Sequence, residues 1–198
     1  MVDEFLNQDE IDALLSGGGG NGGSGLSPED MTVLEEVCGI AASAASNVIG
    51  MLAGRDVTTD GIEQYGIHQS EMASRIDGDK IFSYSISLNG LDSAPARLIT
   101  GERGALALAD LMMGGDAKEL PTEANDLYLS AAQEGLSQLV GSALTSLSGL
   151  LGGAKLSSDD ASSSLEESGT WVPFPDLPGD SMIWAGKINL NVDEVEPF

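Results

Sequence analysis

Basic side chains are scarce in this sequence: 8 Lys and Arg stand against 32 Asp and Glu, a formal charge of −24. Nucleic acids and anionic membrane surfaces are held by clustered cations, so neither is expected as a partner, and no membrane insertion is expected. An acidic surface of this kind is either solvated or meets basic groups on another protein. There is one cysteine, Cys38, and one histidine, His68. A lone cysteine forms no internal disulfide, and a reduced cytosolic setting accounts for it most simply. With one residue of each kind, no zinc site, Cys-His pair or Ser-His-Asp centre can be assembled within the chain. Neither a metal nor another cofactor is expected.

Other absences narrow the choice further. Aromatic residues are 5% of a chain that is 41% hydrophobic, so small and aliphatic side chains must fill the core. The opening Met1-Val2-Asp3-Glu4 lacks the basic region and apolar run of a signal peptide. The nearest approach to a membrane segment, Gly135 to Ala154, is interrupted by Gln138, by Ser and Thr, and by five glycines, and reads as a buried core helix. The glycine-rich stretch 17–25 lacks both the Gly-Lys-Ser/Thr ending and the preceding apolar strand of a phosphate loop.

What is present divides into three parts: a helical peptide at 1–15, a flexible linker at 16–25, and one domain at 26–198. In the peptide, Asn7 can cap, Glu10 answers the cap, and Leu6 with Ile11 forms a staple across the turn. Ile11, Leu14 and Leu15 make one narrow apolar stripe bordered by Asp9, Glu10 and Asp12. So short a helix is marginal alone and is expected to order on docking.

The domain opens on a long helix from Ser27-Pro28 to Ala53, stopped by Gly54, with Leu26 against Met31 as a staple. Residues 56–76 read as a strand with loops. Lys80 to Leu88 alternates Phe82, Tyr84, Ile86 and Leu88 with Ser83, Ser85 and Ser87, predicting a strand with one buried and one wet face. Asn89-Gly90 turns the chain into a returning strand at Ala94 to Ile99, and a helix follows from Thr100 to Met113. A second long helix is predicted from Pro121-Thr122 to about Gly152. The acidic, serine-rich stretch 157–168 reads as a loop, and Ser181 to Val192 as a strand with Met182, Trp184, Ile188, Leu190 and Val192 on one side. The expected fold is α+β and pseudo-twofold, with long helices packed on one face of a mostly antiparallel sheet.

The two long helices carry a repeated pattern. Thr32-Val33-Leu34-Glu35-Glu36 runs into small residues, as does Ser130-Ala131-Ala132-Gln133-Glu134, with Glu36 and Glu134 98 positions apart. In both, a hydroxyl residue stands four places before the glutamate and so shares its helical face. Two repeats are expected, at about 27–118 and 121–192.

This duplicated helix resembles that of the CheC/FliY/CheX family of bacterial chemotaxis phosphatases. Tyr84 to Gly90 and Ala105 to Met112 look like the family's central strand and helix, so the domain is read as CheC-like. Leu6-Asn7-Gln8-Asp9-Glu10-Ile11-Asp12-Ala13-Leu14-Leu15 is similar, nearly letter for letter, to the peptide with which flagellar switch proteins of this kind bind phosphorylated CheY. The resemblance implies that Leu6, Gln8, Asp9, Glu10, Ile11, Asp12, Leu14 and Leu15 contact a phosphorylated CheY-like response regulator. It also implies that the glutamate pairs with a regulator lysine while an Asn one turn later aligns water on the aspartyl phosphate, a chemistry of positioning and electrostatics. Here Gly39 and Ser137 occupy the Asn positions, with Gln138 one residue beyond. Glu36, Glu134, Ser137 and Gln138 are thus the candidate catalytic residues, and loss of the amide is expected to cost roughly 10²- to 10³-fold in rate. Relatives of the FliY kind usually continue into a FliN-like β-domain; the sequence ends at Phe198, as a fragment or a free-standing relative would.

The expected function is a cytoplasmic switch and chemotaxis protein at the inner face of the flagellar basal body. It would bind the phosphorylated regulator and join FliM-, FliN- and FliG-type switch proteins, with weak or lost phosphatase activity. The alternatives are an active aspartyl-phosphate phosphatase and a purely structural rotor-ring scaffold.

Overall fold

A computed structural model describes residues 27–90, 94–193 and 195. The predicted docking peptide, the linker and the Leu26 staple lie outside the described residues. The first helix, α1 (Pro28–Ala53), starts directly after Ser27, whose carbonyl accepts Met31 N–H at 3.0 Å. It stops at Gly54 with φ +61°, a conformation that costs a side-chain-bearing residue far more than glycine.

Strand β1 (Val57–His68) and a 3₁₀ segment (Gln69–Arg75) then precede β2 (Lys80–Asn89) and β3 (Ala94–Gly101), which form the expected hairpin. Helix α2 (Glu102–Met112) leads to α3 (Asp126–Leu150), and β4 (Ser157–Glu167) and β5 (Met182–Val192) complete the order.

The α+β expectation holds, with helices against antiparallel strands, and the strands form two sheets, β1-β5 and β3-β2-β4. Exchanging α1, β1 and β2 for α3, β4 and β5 converts one cross-pairing, β1 with β5, into the other, β4 with β2. Both pairs carry a bulge at matching places: Asp60-Gly61 in β1 opposite Asn189, and Asp160-Ala161 in β4 opposite Ile86.

Three local expectations are corrected. Residues 157–168 are chiefly the strand β4, because nine of its positions find partners along β2 although its own sequence lacks apolar alternation. Helix α3 begins at Asp126 because Asn125 caps it, Oδ1 accepting Leu127 N–H and Tyr128 N–H at 3.1 Å each; the preceding Ala124 N–H goes to Glu102 Oε1. Ser83 is fully buried, and its hydroxyl accepts from Arg97 Nη1 at 3.0 Å. The face of β2 read as wet is covered there.

The even-numbered side of β2, with Phe82, Tyr84 and Ile86, packs on Ala105, Leu108 and Ala109 of α2 and on Ala132, Leu136, Val140 and Leu144 of α3. The odd side, through Ile81 and with Ile99 of the neighbouring β3, joins Ile67, Ile183, Ala185, Met72 and Trp171 in a second core. That core uses Ile183 and Ala185 of β5, so both faces of this strand are engaged. On its other face Gly186 leaves the space that Cys38 Sγ fills from α1. Among the described helices, Met31–Ala53 rather than 135–154 is long and apolar enough to cross a membrane. Its Cys38, Ala42, Ala44, Ala45 and Val48 are buried in the fold.

Candidate functional site

Helix rotation decides which groups α1 and α3 present. On α3, Ala132, Gly135, Leu136 and Val140 are buried, and Gly135 lies where a Cβ would meet Leu108 and Met112 at 3.2 Å. Gln133 fixes the rotation, its Oε1 accepting the Ser163 hydroxyl of β4 at 2.6 Å. Ser130, Glu134, Ser137 and Gln138 therefore all stand exposed. The structure brings two of them together: Gln138 Nε2 donates to Glu134 Oε1 at 3.0 Å. The Gln133 anchor was missed by sequence reasoning because its partner strand looked like a loop.

On α1, burial of Cys38, Ala42 and Ala45 turns Thr32, Glu35 and Glu36 outward. Among the described residues the Glu36 side chain has no hydrogen bond or ion pair. Gly39 has nothing within 4 Å of where a Cβ would stand, so its lack of an amide is not compensated by a neighbour reaching in. Ile40 is half-buried beside it. The two helices pack on each other, so both glutamates belong to one helical layer.

These groups lie on exposed helical surface, which suits a protein partner better than an enclosed small substrate. An open depression of about 540 Å³, lined by Gly50, Gly54, Arg55, Asp56 and Asp193, sits at the far end of α1. It is roughly 20 Å along the helix axis from Glu36 at the usual rise per residue. Burial pushes the Cys38 thiol above its ordinary range, which disfavours the thiolate that a nucleophile needs. His68 faces the β4–β5 connection, its Nδ1 2.8 Å from the Asp180 carbonyl oxygen. Among the described residues no group of three or more His, Cys, Asp or Glu side chains converges as a metal site would.

No protein-family model matches the chain. It is 30% identical, over 98% of its length, to the flagellar motor switch phosphatase FliY of Bacillus subtilis, and spans 53% of that relative. The Thermotoga maritima FliY crystal structure shares its fold with a TM-score of 0.72 at 24% identity, over 86% of this chain and 87% of that one. A chain of the H. pylori FliG–FliM complex follows at 0.62 and 13% identity, over 85% and 89%. By its sequence along almost its whole length, and by its fold, the chain belongs to the CheC/FliY-like family of flagellar switch and chemotaxis proteins.

Proposed function

We propose that the chain is a switch and chemotaxis protein of FliY type that captures a phosphorylated CheY-like receiver through residues 1–15, tethered by 16–25 to a two-repeat CheC-like domain. It couples the receiver to FliM-, FliN- and FliG-type proteins at the cytoplasmic face of the basal body, and dephosphorylates it weakly or not at all. The observation that carries the second half is the open, amide-free position at Gly39, together with Ser137 in the corresponding place on α3. A carboxylate that can grip a basic side chain remains at both edges, while the group that would order water is missing from both expected positions. Family membership and the B. subtilis relative's name support the switch role, and the H. pylori complex motivates the choice of FliG- and FliM-type partners.

One observation favours the enzymatic alternative. Gln138 places an amide beside Glu134, and its second N–H and carbonyl oxygen, which have no other partner among the described residues, can hold a water. No comparable observation favours a purely structural ring scaffold. The deciding experiment is phosphate release from a phosphorylated CheY homologue with and without the protein. Release no faster than the receiver's own rate supports the binding role, and strong acceleration overturns it in favour of the phosphatase.

A further inference from the structure

Residues 171–181 connect β4 to β5 on the side of the three-stranded sheet opposite α2 and α3. Trp171 is sealed in the second core, and Phe174 lies beneath the Arg97 guanidinium, 5.6 Å from its ring centroid. This connection is held unusually firmly. Pro173, Pro175 and Pro178 restrict its backbone. Two turns close within it, Leu177 N–H to Phe174 O at 3.0 Å and Ser181 N–H to Pro178 O at 2.9 Å. Gln69, only 1% exposed, gives its whole amide to the loop: Nε2 donates to the carbonyls of Leu177 and Pro178 at 2.7 Å each, and Oε1 accepts Phe174 N–H at 3.1 Å. Gln69 N–H and Ser70 N–H bind the carbonyls of Ser181 and Gly179.

At the tip of this fixed loop Leu177 is 46% exposed, between the exposed carboxylates of Asp176 and Asp180, with Glu71 exposed on the 3₁₀ segment that braces it. Holding an apolar side chain outward adds nothing to the stability of the isolated fold. It does lower the ordering cost when that side chain enters a partner's pocket. We propose that this loop is a second docking surface, for a protein with an apolar pocket bordered by lysine or arginine. The acids around Leu177 and the formal charge of −24 set that chemistry and disfavour a second copy of this chain as the occupant. The candidate groups of α3 lie across the sheet, so a receiver there and a partner on the loop can be bound at once.

The choice of probes rests on the proposed function. Wild type, Leu177→Ser and Asp176→Asn/Asp180→Asn are titrated with purified FliG- and FliM-type switch proteins, and with the phosphorylated receiver as a control. Far-UV circular dichroism checks that each variant is folded. Leu177→Ser is expected to weaken binding to a switch protein by about tenfold or more and to leave receiver binding unchanged. The double Asn variant is expected to slow association and flatten its salt dependence. If Leu177→Ser alters switch-protein binding by less than about twofold, or weakens receiver binding equally, the loop is not this surface. If wild type binds the receiver but neither switch protein, this inference fails together with the coupling half of the proposed function, and receiver capture stands. If it binds none of the three, the proposed function fails as well.

Discussion

Gln138 donates its amide to Glu134 across 3.0 Å, one helical turn apart on the exposed side of α3. The sequence places Gln138 one residue past the position where the resemblance implies an amide, yet the side chain's extra methylene brings its head back to the glutamate. The equivalent glutamate on α1 has Gly39 and Ile40 beyond it, and neither supplies a polar group. The two edges therefore differ in chemistry although their helices occupy related places in the fold.

Any remaining phosphatase activity is expected at the α3 edge. Glu134→Ala and Gln138→Leu should each reduce receiver-dependent phosphate release toward the spontaneous rate, while Glu36→Ala leaves it close to wild type. Single-turnover phosphate release from a phosphorylated receiver measures this directly. Loss with Glu36→Ala alone would reverse the order of the edges.

The N-terminal peptide is expected to bind the phosphorylated receiver more tightly than the unphosphorylated form. Ile11→Ala and Leu14→Ala should each cost about 1 to 3 kcal/mol if these side chains enter a groove. Fluorescence anisotropy of a labelled peptide comprising residues 1–15 tests both points. Equal affinity for the two receiver forms would count against the docking role.

Gln69→Leu should destabilise the fold by about 2 to 4 kcal/mol, because one substitution leaves the Phe174 N–H and the carbonyls of Leu177 and Pro178 without their buried partner. Urea unfolding is the measurement, with a lowered midpoint at similar slope as the expected result. A change below about 0.5 kcal/mol would mean that water replaces the amide at no real cost.

Gly186→Ala should cost about 1 to 3 kcal/mol, since its Cβ would collide with Cys38 Sγ between β5 and α1. Combining it with Cys38→Ala removes the colliding atom. The double variant should then be more stable than the sum of the single effects predicts, by about 1 kcal/mol or more. Additive losses in urea unfolding would place the strain elsewhere.

The sequence was legible where local pattern and tertiary role coincide. β2 alternates apolar and small polar residues, and α1 carries its stop in Gly54, so both could be read directly. β4 could not, because Ser157–Glu167 has no apolar period of its own and is a strand by virtue of its pairing with β2. The burial of Ser83 likewise depends on Arg97 arriving from the neighbouring strand. At the candidate site, the glutamates and the missing amides were visible as residue types. The Gln138–Glu134 bond and the Gln133 anchor were not, since they depend on side-chain reach and on a strand that the pattern concealed.

Restoring the absent amide tests the mechanism most directly. At Gly39 a new side chain meets nothing within 4 Å, so Gly39→Asn introduces an amide without disturbing the packing, and replacing a mid-helix glycine should not destabilise α1. At Ser137 the side chain is already exposed, and Asn fits the same surface. If the expected amide is what the site lacks, each substitution should raise receiver dephosphorylation, with roughly 10²-fold as the scale for a fully effective orienting group. The increase at Gly39 should be the cleaner one, because Ser137→Asn stands next to Gln138 and can compete with it for Glu134. Glu36→Ala should abolish the gain made by Gly39→Asn, since water alignment without a gripped receiver accomplishes nothing. A Gly39→Asn protein that binds the receiver normally yet releases phosphate no faster than wild type would show that the missing amide does not limit the reaction.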